Sequence, residues 1–160
     1  MNNFITRIVL AVVLFTTAVT SVYSQETTKV EDAVNKLVNK YDGKDEVNCV
    51  TVAKGSGLEL VKMALNKELG KSFMKGVKSI TIIDYTDASK ETCEALRKDL
   101  DTFLVLLNEF NLNNEKQFAD NDYIRCFATE ESGVLSDFVI ALENDKSKTV
   151  MHMAGKIIIE

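Results

Sequence analysis

Three short apolar runs close the chain, Tyr123 to Thr129, Leu135 to Leu142 and Val150 to Ile159, and only a few residues separate one from the next. The separators, Glu131-Ser132-Gly133 and Asn144-Asp145-Lys146-Ser147, are built from turn-forming residues. Apolar runs this short, rich in β-branched residues, predict strands, and connections this tight force antiparallel neighbours. The last third of the chain must therefore be a meander, and everything before it must join that sheet or cover it.

Upstream the periodicity alternates. Val30, Ala33, Val34, Leu37, Val38 and Tyr41 recur at helical spacing and Asp42-Gly43 ends them. Val47 to Ala53 predicts a strand, Leu58 to Leu69 a helix with Leu58, Val61, Leu65 and Leu69 on one stripe, and Val77 to Asp84 a second strand. The longest helix is predicted from Ala88 to Phe110, capped by Thr86 or Asp87. Cys93, Leu96, Leu100, Phe103, Leu104 and Leu107 lie on its buried face, and Val105, Leu106 and Phe110 widen that face towards a deeply packed end. Asn111 to Asn121 is polar and loop-like, and the chain has no proline. The order is αβαβαβββ. Strand-helix-strand links favour parallel neighbours and hairpins enforce antiparallel ones. The expectation is an α+β fold, with a mixed, mainly antiparallel five-stranded sheet and about three helices on one of its faces.

The chain opens with a short stretch carrying Arg7, followed by an apolar run from Ile8 to Phe15 and small or polar residues up to Ser24. This pattern predicts a signal peptide over residues 1–24, cleaved before Gln25, and a single domain over 25–160. No cysteine follows the apolar run, so a lipobox is not signalled and a periplasmic or secreted protein is expected. From Gln25 onward there are 18 basic and 24 acidic residues, a net of −6, which disfavours nucleic acid as a partner. No later apolar run approaches the roughly 20 residues that span a bilayer, so the mature protein is not expected to be integral to a membrane. Three cysteines, Cys49, Cys93 and Cys126, are read as buried thiols. A Cys49–Cys126 disulfide is the alternative, since both fall on predicted strands.

Recognisable chemistry is sparse, and neither a catalytic residue nor a cofactor or metal site is assigned. Ala53-Lys54-Gly55-Ser56-Gly57 links a strand to a helix but lacks a complete dinucleotide or phosphate-loop pattern, and reads as an ordinary turn. His152 is the single histidine and is expected to be structural or solvated. Asp84, Asp87, Glu130 and Glu131 sit at loop edges without calcium-loop spacing. One asymmetry is less ordinary. Lys54, Lys62, Lys67, Lys71, Lys75 and Lys78 are opposed over positions 54–78 only by Glu59 and Glu68, a local charge of +4 in a chain of net charge −5. Lys62, Lys67, Lys71, Lys75 and Lys78 are therefore the predicted contact surface for an anionic partner.

The stretches "KLVNKYDGKDEVNCVTVAKG", "MKGVKSITIID" and "YIRCFATEESGVLSDFVIALENDKSKTVMHMAGKI", with the leucine-rich helix between them, resemble a family of exported bacterial domains of unknown function, of the kind found in Bacteroidetes. The resemblance runs from about Lys29 to Ile158. It implies a small α+β domain behind a signal peptide and transfers no catalytic residue. Some members look like lipoproteins, from which this chain departs by lacking the lipidation cysteine. The function expected is an exported, non-enzymatic binding or accessory module of the cell envelope, whose partner is an envelope protein or an anionic ligand. The alternatives are a small periplasmic hydrolase or redox protein using His152, carboxylates or a cysteine, and a structural protein pairing through an exposed sheet edge.

Overall fold

The computed structural model describes residues 28–69, 71–109 and 123–158; the expected signal peptide and the Asn111–Asn121 loop lie outside them. Helix α1 (Lys29–Tyr41) starts where Thr28 and Glu31 form a capping box, and it buries Val30, Val34, Leu37 and Tyr41, which fall one turn apart. Strand β1 (Asn48–Val52) follows. Helix α2 (Gly55–Leu69) then opens within the glycine segment, whose residues form its first turn and not a free loop. A short helix not foreseen from the sequence, α3 (Lys71–Lys75), leads into β2 (Val77–Asp84).

Helix α4 (Lys90–Leu104) is capped by Ser89, not by Thr86 or Asp87. Its N-terminus also meets the loop after α1, because the Asp45 carboxylate accepts from the Ser89 N–H at 3.0 Å, a favourable place for negative charge. Thr86 serves a different turn, donating through its hydroxyl to Asp84 Oδ1 at 2.6 Å. Leu96, Leu100, Phe103 and Leu107 are buried as expected. The deeply packed end is not. Val105 is 79% exposed and Leu106 52%, because the helix stops at Leu104 and the chain turns into the two-residue strand β3 (Asn108–Glu109). Phe110 lies outside the described residues.

Strands β4 (Tyr123–Glu131), β5 (Val134–Asn144) and β6 (Ser147–Ile158) form the expected meander. Ser132 and Gly133, both at positive φ, make the first turn. The Asn144 side chain closes the second by accepting from the N–H groups of Lys146 and Ser147, each at 2.8 Å. The sheet order is β1-β2-β6-β5-β4-β3, five substantial strands plus the short β3, and the class is α+β as expected.

Two expectations are corrected. Every strand pair is antiparallel, so the mixed component is absent among the described residues. Val52 stands opposite Ile80. The excursion through α2 and α3 thus leaves and re-enters the sheet at the same end, where a parallel crossover would deliver the chain to the opposite one. The helices also cover both faces. Leu58, Val61, Leu65 and Met74 from α2 and α3 join Ile80, Ile82, Phe138, Ile140, Met151 and Met153 in one cluster. The buried stripes of α1 and α4 join Ile83, Phe127, Val139 and Val150 in the other. Adjacent sheet residues point to opposite clusters, as a pleated strand buried on both sides requires.

Beneath α3 the sheet is pinched. A β-carbon on Gly155, whose φ is +145°, would stand 2.1 Å from the Gly76 carbonyl oxygen, and one on Gly76 would stand 1.6 Å from the carbonyl oxygen of Lys156. Only glycine allows two backbones this close. At the edge of the sheet beside β2, β1 is short and partly sealed, since its Cys49 N–H donates to Asp42 Oδ1 at 2.9 Å. No helix among the described residues is long and apolar enough to cross a membrane.

Candidate functional site

Two groupings bear on function, one polar and enclosed, one basic and open. The enclosed one is centred on His152. Val139 is its register partner across β5–β6 and Asp137 pairs with Ala154, so Asp137 is the diagonal neighbour on the same face, within reach of a long side chain. Their side chains meet at 2.8 Å, with side-chain exposures of 3% for His152 and 2% for Asp137. The contact joins His152 Nε2 to Asp137 Oδ1. The same Asp137 Oδ1 accepts from the Thr28 hydroxyl at 3.1 Å, while Thr28 Oγ1 accepts from the Glu31 N–H. One carboxylate oxygen thus ties the cap of α1 to the centre of the sheet. Thr81 pairs with His152 in register and its hydroxyl lies 3.1 Å from that of Thr51, extending the polar row to the β1 edge.

This arrangement holds an element in place. His152 makes no recorded hydrogen bond to a serine or cysteine, and a triad needs both a nucleophile on the imidazole and a path for substrate. Of the three thiols expected to be buried, Cys93 and Cys126 are, whereas Cys49 is half-buried near the sheet edge. Burial, followed by the nearby Asp42 charge, pushes Cys49 up to about 12, and burial alone pushes Cys126 up to about 11, well above the thiolate range that redox chemistry uses. A Cys49–Cys126 disulfide is excluded by the topology: the two strands are separated by β2, β6 and β5, about 19 Å at ordinary strand spacing, against the 7 Å or so that a disulfide spans. All three cysteines are free. Asp84 caps its own turn through Thr86, Asp87, Glu130 and Glu131 are exposed, and no metal-sized cluster of ligand residues is present among the described residues.

The open grouping is the layer formed by α2, α3 and the start of β2. With Leu58, Val61 and Leu65 facing the sheet, the 100° step of an α-helix sends positions 56, 60, 63 and 67 to the opposite, outermost ridge. Leu60 and Met63 on that ridge are 43% and 66% exposed. Lys62 lies on the flank, mostly covered, with its ammonium 3.5 Å from Glu59. Lys75 and Lys78 are exposed. The side chains of Lys67 and Lys71 lie outside the described residues, and Lys71 is the first residue of α3. Lys156 is exposed and its backbone N–H donates to the Gly76 carbonyl at 3.1 Å, but its strand neighbour Ile157 faces the α2–α3 cluster, so alternation turns Lys156 to the other face of the sheet. Glu130 and Glu131 reach the same end of the sheet two strands away and bound the basic area there.

Asp137 and Thr28, which give His152 its setting, carry no linear signal, because their convergence depends on hairpin register and on where α1 docks. No family model matches the chain, and neither a curated protein nor a solved structure matches it.

Proposed function

We propose that this chain is an exported, non-enzymatic binding or accessory module of the bacterial cell envelope, of the kind its family resemblance implies, and that it meets an anionic partner through the α2–α3 layer. The observation that carries this reading is the division of charge. Positions 54–78 hold +4 while the rest of the chain holds −9, and α2 and α3, which make up most of that segment, pack on one face of the sheet. A focused local potential attracts opposite charge whatever the sign of the whole molecule. The enclosed His152–Asp137 pair and the withdrawn thiols favour this reading over a hydrolase or redox enzyme. The Asp42 seal on β1 favours it over assembly through the sheet edge.

Cell fractionation tests both halves of the proposal. The recovered protein should begin near Gln25, accompany the envelope at low salt, and be released at about 0.5 M salt as screening shortens. Lys75→Glu with Lys78→Glu should abolish the association and leave the circular dichroism spectrum unchanged. A protein retaining Met1 refutes export, and undiminished association of the reversed variant refutes the lysine surface.

A further inference from the structure

We draw no further inference here: the strongest candidate, the apolar outer ridge of α2 on which Leu60 and Met63 stand exposed, is an unpartnered helix face, and nothing in the structure shows what covers it.

Discussion

The two helical layers bury comparable apolar stripes against the same sheet, yet they are attached by different means. On one face, α1 and α4 are fastened by directional contacts. Thr28 reaches Asp137, Lys40 and the Tyr41 hydroxyl both meet Asp99 at 2.5 and 2.7 Å, Arg97 pairs with Glu143 on β5 through two of its nitrogens, and Ser89 is held by Asp45. On the other face, α2 and α3 have no acidic residue in their first turns, and the ion pair found among their described side chains, between Lys62 and Glu59, lies within α2 itself. Burial without directional contacts holds a helix but specifies its position less sharply. The layer of α1 and α4 thus has its polar groups engaged with one another and with the sheet, whereas the layer of α2 and α3 exposes Leu60, Met63 and Lys75.

The largest expected effect removes what both layers share. Gly155→Ala drives a β-carbon into the Gly76 carbonyl, so backbone must move at the junction of β2 and β6. It should cost about 3 kcal/mol or more, seen as the loss of a single cooperative transition in urea. Survival with near-native stability would mean that the two backbones are not pressed together. A matched pair then asks whether the layers differ in packing or in polar attachment. Leu96→Ala in α4 and Leu65→Ala in α2 each remove a fully buried side chain, and each should cost about 2 to 5 kcal/mol. Similar losses place the difference in polar contacts, whereas a much smaller loss at Leu65 would show that α2 is also the looser packed.

Acid should produce the smallest effect and the most selective one. Hydrogen bonds from Lys40 and Tyr41 hold Asp99 below the usual carboxylate range, and bonds from Ser89 and Thr92 do the same for Asp45. A carboxyl lowered in the folded state adds stability above its unfolded value and loses it as pH falls through the folded one. Below about pH 4, amides of α1 and α4 should therefore lose exchange protection before those of α2. Asp99→Asn should remove part of that pH dependence. Earlier opening of α2 in acid would reverse the comparison.

Much of this arrangement was legible in the amino-acid order. The meander followed from turn residues, β2 was bounded correctly at Val77 and Asp84, and the Leu96-Leu100-Phe103-Leu107 stripe faces the sheet. The second helical layer was legible too, but only in a feature that alternation tends to hide. Ile80-Thr81-Ile82-Ile83 and Phe138-Val139-Ile140 are unbroken, the mark of strands covered on both sides. The end of α4 misled because Val105 and Leu106 continue the apolar pattern although the chain has already turned towards β3. The polar cluster was out of reach, since Asp137 and His152 belong together by hairpin register and Thr28 joins them only once α1 has docked. The lysine segment was visible as a charge count, whereas the exposure of Leu60 and Met63 depends on helix phase.

The bond from the Cys49 amide to Asp42 reaches beyond the single molecule. A sheet that ends in an unsealed strand is an unfinished polymer, able to recruit another copy and offer the same edge again. Here one carboxylate occupies a donor of a five-residue edge, which makes that edge a poorer template for a second strand. Asp42, a residue outside the core, thus bears on how the sheet edge meets its surroundings.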